Sequence, residues 1–162
     1  MGNPYWLLTD VERDLWPGEC ELGDADFRTA AGDASGLSLK RRVLRGGLRE
    51  GVEVLEVDNG RCRFTVIPSR GMGIWQAWVD GVRFGWDAPV RGPVHPHNVP
   101  LLAPDGLGWL QGFNELLCRC GLENNGAPVF DETGRLVLPL HGRIANTPAH
   151  RLEVHWDEQT AE

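Results

Sequence analysis

Two tight-turn dipeptides, each between stretches of alternating apolar and polar residues, constrain the fold of this 162-residue chain more than any other feature. The first, Asn59-Gly60, follows a segment whose apolar residues are Val52, Val54, Leu55 and Val57. After the turn, Cys62, Phe64 and Val66 alternate with polar residues. Asn-Gly favours a type I′ turn because both residues tolerate positive φ. The pattern therefore predicts a β-hairpin.

The second dipeptide, Asp80-Gly81, predicts another hairpin. The segment 74–79 before it is apolar on both faces, which is typical of a strand sandwiched between two layers. After it, apolar residues alternate with polar or small residues over 82–86. Further short strands are expected over 135–138 and 152–156. The chain is therefore predicted to be mainly β, as an antiparallel sandwich or barrel.

Capping and proline patterns describe the connecting segments. Thr9 to Glu12 has capping-box spacing, which predicts a short helix that Pro17-Gly18 ends. Residues 87–106 contain five prolines, a density that excludes helix interiors and central strands and indicates a long ordered loop. Between Leu110 and Cys120, apolar residues recur at helical spacing, so one or two helical turns are expected there.

Charge and hydropathy exclude several functional classes. Lys and Arg number 16 against 23 Asp and Glu, giving a net charge of −7, and the basic residues are scattered, so we expect no nucleic-acid partner. No apolar run approaches the roughly 20 residues that span a bilayer, and acids stand where a signal peptide would begin with basic residues. Four cysteines are few, and a reducing compartment fits them. We expect free thiols, no membrane partner and a cytoplasmic location.

Paired histidines and cysteines raise the question of a metal site. His95 and His97, with Cys118 and Cys120, could supply four ligands, but a single residue separates the members of each pair. Structural zinc sites favour two to four intervening residues between paired cysteines. We therefore expect no metal, and we interpret the two histidines as polar loop residues near the mouth of a cleft.

Polar stretches embedded among small and apolar residues lead to a resemblance to a known family. There are three such stretches, at 68–73, 112–115 and 138–146. The last of them, 138–146, is similar to the Leu-x-x-His-Gly segment of mutarotases and hexose-6-phosphate epimerases. The family's other motifs occur in the same order along the chain: RGMGI at 70–74, CGLENNGAP at 120–128 and LHGRIANTPA at 140–149. With them the chain resembles a bacterial, domain-of-unknown-function branch of the aldose 1-epimerase-like proteins, from about residue 51 to residue 156.

The resemblance implies a fold and a site. The fold is an antiparallel β-supersandwich of the galactose mutarotase type, whose concave sheet holds a pyranose without a metal or cofactor. The implied catalytic residue is His141, which matches the histidine that meets the sugar. The residues implied to bind the substrate, a monosaccharide or sugar acid, are Arg70, Asn114, Glu115, Asn124 and Arg143.

The resemblance also implies a boundary. We expect residues 1–50 to form an irregular edge segment and residues 51–162 to be the N-terminal part of the sandwich. Mutarotation needs a base for the anomeric hydroxyl proton and an acid for the ring oxygen. In the relatives the base is a glutamate near the C-terminal end of the fold, so we expect an incomplete site here, and open sheet edges that permit a homodimer.

Each candidate also has a structural interpretation. His141 beside Gly142 could be a hydrogen-bonded structural histidine, Arg70 a solvated turn residue, and Arg143 half of an ion pair. Asn114 and Glu115 could cap a short helix, and Asn124 could supply a turn. Trp75, Trp78, Trp86 and Trp109 are candidates to stack on a sugar ring, and the sequence does not choose among them.

Three functions therefore stay open. The first is an aldose 1-epimerase-like protein that interconverts sugar anomers by acid and base ring opening. The second is a carbohydrate-binding module without catalysis, which needs the same aromatic and polar contacts but no base. The third is an inactive fragment.

Overall fold

The computed structural model describes residues 4–29, 32–33, 36–103 and 105–157. Within these ranges the chain is mainly β, with antiparallel pairing and six short 3-10 helices. None of the described helices is long and apolar enough to cross a membrane. The strands are β1 (Tyr5–Asp10), β2 (Cys20–Leu22), β3 (Arg28–Thr29), β4 (Gly32–Asp33), β5 (Ser38–Val43), β6 (Glu53–Asp58), β7 (Cys62–Ile67), β8 (Gly73–Val79), β9 (Val82–Phe84), β10 (Val129–Phe130), β11 (Leu136–Leu138) and β12 (Arg151–His155). The 3-10 helices are Val11–Arg13, Gly47–Arg49, Pro68–Arg70, Pro96–Asn98, Gly108–Gln111 and Ile144–Asn146.

The largest unit is a six-stranded antiparallel sheet in the order β2-β5-β6-β7-β8-β9. Both predicted hairpins lie in it, as β6–β7 and β8–β9. Asp80 and Gly81 both have positive φ, as a type I′ turn requires. The first turn is wider than expected, because only Gly60 has positive φ and the Asn59 side chain accepts hydrogen bonds from the amides of Arg61 and Cys62. The hairpin prediction is confirmed, and the type I′ assignment at Asn59-Gly60 is wrong.

The N-terminal 50 residues are more regular than expected. β5 pairs with β6 along its whole length, from Ser38–Asp58 to Val43–Glu53, so it is an interior strand rather than an edge segment. β1 pairs with β12, which joins the two ends of the described chain. The expected helix after Thr9 is a single 3-10 turn, Val11–Arg13, capped by the Asp10 carboxylate. The expectation of an irregular edge segment over residues 1–50 failed because pairing with distant strands cannot be read from local sequence patterns.

Two apolar clusters form the core. The larger joins the β1–β12 ribbon to β5 and β6, and its buried members are Leu8, Phe27, Leu39, Leu55, Leu152 and Trp156. The smaller consists of Val52, Val54 and Ile67, with Trp75 packed against it. β8 is less buried than its two-sided apolarity predicted, because beyond Gly73 its residues are half-buried.

The helical turns expected between Leu110 and Cys120 are largely absent. A 3-10 helix covers Gly108–Gln111, and the chain then runs beside β8, where Ile74 and Leu117 exchange two backbone hydrogen bonds of 2.9 and 3.0 Å. β9 pairs only with residues 77–79 of β8. Residues 73–76 of β8 therefore have backbone groups along this edge that β9 does not pair with. The segment after Gln111 forms hydrogen bonds with these backbone groups of β8 instead of forming a helix.

Candidate functional site

A cleft of about 500 Å³ opens beside β8 and β9, and we call it the β8 cleft. It combines aromatic, amide and charged side chains from four parts of the chain. Its lining residues are Trp75, Gln76, Arg83, Trp86, Asp87, Ala88, Val90, Arg91, Gly92 and Asn114. A concave surface of this size with a few convergent polar groups is typical of a small-molecule site.

A β-bulge shapes the floor of the cleft. Thr65 pairs with Gln76 and Val66 pairs with Ile74, which leaves Trp75 as the extra residue in β8. A bulge re-aims the side chains next to it. Consequently Trp75 and Gln76, which would point to opposite faces of a regular strand, both line the cleft.

The bridge to β8 brings Asn114 to the cleft. The Leu116 amide donates to the Trp75 carbonyl at 3.0 Å, and the Trp86 indole donates to the Glu115 carbonyl at 3.1 Å. Asn114 is only 6% exposed, and its Oδ1 has no hydrogen-bond partner among the described residues. A Cβ added at Gly92 would lie 2.6 Å from the Asn114 amide nitrogen, so glycine is needed there for the close approach. Asn114 therefore presents a buried acceptor that lacks a donor.

A buried ion pair lies beneath this corner of the cleft. Arg70 Nε donates to Glu115 Oε1 at 2.5 Å, and neither side chain has any exposed surface. Arg70 also donates to the Val94 carbonyl at 3.2 Å, the Gly112 carbonyl at 3.0 Å and Asn146 Oδ1 at 2.8 Å. These four acceptors lie in three separate segments, at residues 94, 112–115 and 146, so Arg70 ties the loops of the site together and offers no free face to a ligand.

Glu115 supports its neighbours in the same way. Its Oε2 accepts a hydrogen bond of 3.0 Å from the backbone amide of Asn114, which fixes the backbone that carries the Asn114 side chain.

The Cys118 thiol lies near Glu115. Its pKa is raised mainly by burial, and to a lesser extent by the negative charge of Glu115. That thiol therefore stays protonated and is a poor nucleophile or metal ligand. No cluster of three or more potential metal ligands occurs in the described part of the chain.

His141 occupies an unusual backbone position. Its φ is +56°, in the left-handed region, and the turn is closed by a 3.1 Å hydrogen bond from the Gly142 amide to the Pro139 carbonyl. The Nδ1 atom is buried and has no partner among the described residues. Residues other than glycine rarely adopt positive φ, although histidine does so more often than most, and they persist there where their surroundings hold them.

A row of aromatic rings leads from His141 to the β8 cleft. The His141 ring packs edge-on against Trp109 with centroids 4.7 Å apart, and Trp109 stacks on Phe113 at 4.7 Å. Phe113 in turn contacts Trp86 at 5.0 Å. His141 is thus connected to the cleft through packed rings, although it does not line the cleft itself.

Asn124 and Arg143 lie farther from the cleft. The Asn124 amide donates to the carbonyls of Ala127 and Pro139, both at 3.0 Å, and so holds the turn that carries His141. Arg143 is exposed and forms an ion pair with Glu123, with Nε and Oε2 3.7 Å apart.

The structure therefore groups the candidate residues differently from the expectation. Arg70, Asn114 and Glu115 form one cluster, and of these Asn114 lines the cleft. His141 and Asn124 belong to a second cluster. Arg70, His141 and Arg143 do not line the β8 cleft. Their roles toward a sugar stay predictions.

The four tryptophan candidates lie in three different environments. Trp75 and Trp86 line the cleft, Trp109 is buried, and the ring of Trp78 is covered by the Arg63 guanidinium at 4.3 Å. Sequence reasoning missed the lining residues Gln76, Arg83, Asp87 and Arg91. The alternation in β9 could have placed Arg83 on one face, whereas the proline-rich loop gives no periodic signal for the others.

The expected histidine positions are also revised. His95 lines a separate small cavity with Glu53 and Ser69, and its Nδ1 accepts a hydrogen bond from the His97 amide at 3.2 Å. Neither histidine lines the β8 cleft.

Comparison with known proteins gives two matches. Residues 49–162 match the family DUF4432, a domain of unknown function. The structure is similar to the crystal structure of a protein from Klebsiella pneumoniae subsp. pneumoniae described as a putative aldose 1-epimerase, with a TM-score of 0.86 and 35% sequence identity. The match covers 97% of this chain and 40% of that one, so this chain spans about 40% of the length of its structural relative. No curated protein matches the sequence.

Proposed function

Because the chain belongs to the DUF4432 family and has the antiparallel β fold of an aldose 1-epimerase-like protein, we propose that it binds a pyranose sugar in the β8 cleft. One observation carries the proposal. The cleft is lined by two tryptophans and by Asn114, whose buried amide oxygen has no hydrogen-bond donor among the described residues.

These groups match the two kinds of surface on a sugar. A pyranose ring has an apolar face of C–H groups, which packs well on an aromatic ring such as Trp75 or Trp86. Its hydroxyl groups donate and accept hydrogen bonds, and Asn114 and Gln76 can do both in return. A buried acceptor without a donor costs about 1–3 kcal/mol, and a sugar hydroxyl would remove that cost at Asn114.

A second candidate function is catalysis of anomer interconversion with His141 as the acid. Its held, left-handed backbone and its unpaired buried Nδ1 favour this reading. Two features weigh against it in the described residues. The rings of Trp109 and Phe113 separate His141 from the cleft, and the nearby carboxylates are already paired, Glu115 with Arg70 and Asp87 with Arg83. We therefore place binding ahead of catalysis.

The test is a titration of tryptophan fluorescence with glucose and galactose. We expect a saturable change in the wild-type protein, loss of binding in Trp86→Ala and in Asn114→Leu, and normal binding in Trp78→Ala, which removes a tryptophan outside the cleft. Absence of any saturable change, or equal binding by Trp86→Ala and wild type, would show that the cleft is not a sugar site.

A parallel measurement separates binding from catalysis. Proton spectra of freshly dissolved α-glucose and α-galactose report the rate at which anomers equilibrate. We expect the spontaneous rate in the presence of the protein. A faster rate that disappears in His141→Asn, an exchange that keeps a residue tolerant of positive φ, would favour the catalytic candidate instead.

A further inference from the structure

We propose that Arg91 makes the β8 cleft selective for pyranoses that carry a carboxylate, an inference that rests on the proposed sugar site. Three charged side chains line the cleft: Arg83, Asp87 and Arg91. Arg83 Nη1 donates to Asp87 Oδ1 at 3.1 Å, so those two charges balance. Arg91 makes no hydrogen bond or ion pair with any described residue, which leaves the cleft one positive charge without a partner.

The position of Arg91 suits contact with a ligand that Asn114 also holds. Arg91 is followed by Gly92, whose backbone lies against the Asn114 amide. It also lines a neighbouring cavity of about 300 Å³, together with Arg49 and the glycines at 46 and 47. The protein as a whole carries a net charge of −7, so this corner is an exception to its surroundings.

The chemistry favours a carboxylate over other anions. A guanidinium presents a planar fork of N–H donors that matches the two oxygens of a carboxylate. Arg49 lines the neighbouring cavity and not the β8 cleft, so Arg91 is the one lining charge that no other described lining residue balances. It balances a single negative charge, whereas a phosphate monoester carries close to two at neutral pH. A uronic acid therefore fits the cleft better than a neutral sugar or a sugar phosphate.

The experiment compares D-glucuronate, D-glucose and D-glucose 6-phosphate by calorimetric titration. We expect wild-type protein to bind glucuronate about tenfold more tightly than glucose, the scale of one charge-assisted hydrogen bond in a partly open cleft. Arg91→Gln should abolish the preference, so that glucuronate and glucose bind with similar affinity. The control Arg135→Gln removes the same charge from an exposed side chain outside the cleft and should leave the ratio unchanged.

Other outcomes would overturn the inferred carboxylate selectivity and leave the proposed sugar site standing. Equal affinity for glucuronate and glucose, or a preference that survives in Arg91→Gln, would show that Arg91 does not select the ligand. Tighter binding of glucose 6-phosphate than of glucuronate would overturn the carboxylate assignment. Failure of the proposed sugar site is a different result, since none of the three ligands would then bind. The preference should also weaken at high salt, because the charges involved are partly exposed.

Discussion

At the residue scale, the pair formed by Arg70 and Glu115 shows why a polar residue in a family motif need not touch a ligand. The guanidinium has four protein acceptors from three separate segments, and the carboxylate holds both Arg70 and the backbone amide of Asn114. Buried charges are tolerated when they are paired and hydrogen-bonded. We infer that the pair positions the cleft rather than contacting its ligand.

Glu115→Gln tests this role. The substitution leaves the buried Arg70 charge without its counter-charge, so we expect a loss of roughly 3–5 kcal/mol in the free energy of unfolding. Urea denaturation measures it. The control is Glu123→Gln, which breaks the exposed pair with Arg143 and should cost no more than about 1 kcal/mol. Similar losses in the two variants would mean that the buried pair has no special structural weight.

At the scale of elements, two 3-10 helices meet behind the cleft. Pro68–Arg70 packs against Ile144–Asn146, and the Gly71 amide donates to the Thr147 carbonyl at 3.0 Å. Gly71 has a φ of +59°, and a Cβ added there would collide with the Ile144 carbonyl oxygen. Only glycine meets both conditions, so this position couples the Arg70 turn to the segment that follows His141.

Gly71→Ala should therefore separate the two helices. We expect a destabilisation of about 3 kcal/mol, combining left-handed strain with overpacking. Gly134→Ala is the matched control, because Gly134 has a φ of +79° but nothing within 4 Å of the added Cβ. That variant should lose only about 1 kcal/mol, from backbone strain. Thermal unfolding of both variants measures the difference, and equal losses would contradict the close approach at Gly71.

At the scale of the whole molecule, the edge of the six-stranded sheet is open within the described residues. β9 is an edge strand, and its apolar residues Val82 and Phe84 are 61% and 51% exposed. Exposed apolar edge strands readily pair with another chain. We expect two copies to associate through β9, which is the homodimer anticipated from the sequence.

Light scattering during gel filtration over a range of concentrations tests this expectation. The wild-type mass should rise from monomer to dimer as concentration increases, and Phe84→Lys should keep it at the monomer value. Val129→Lys places the same charge on an exposed apolar residue of β10, in a separate two-stranded sheet, and should still dimerise. A monomer at every concentration, or dissociation by both substitutions, would exclude association through β9.

Local sequence patterns were sufficient to predict the hairpins, one C-terminal strand and the family resemblance. The hairpin at Asp80-Gly81 follows from residues that tolerate positive φ between alternating runs, and both causes act within a few residues. The strand near 152–156 follows from the same alternation. The motif around His141 indicated the aldose 1-epimerase-like fold, which the structural relative confirms.

Contacts between distant segments select which residues meet at the site. The pairing of β5 with β6, the bulge at Trp75 and the docking of Leu116 beside β8 all depend on segments far apart in the chain. Burial has the same origin, because Arg70 loses its solvent only when acceptors from Val94, Gly112, Glu115 and Asn146 close around it. A local pattern carries no information about such partners, so a polar residue in a motif could not be assigned to the cleft or to the support beneath it before the chain was folded.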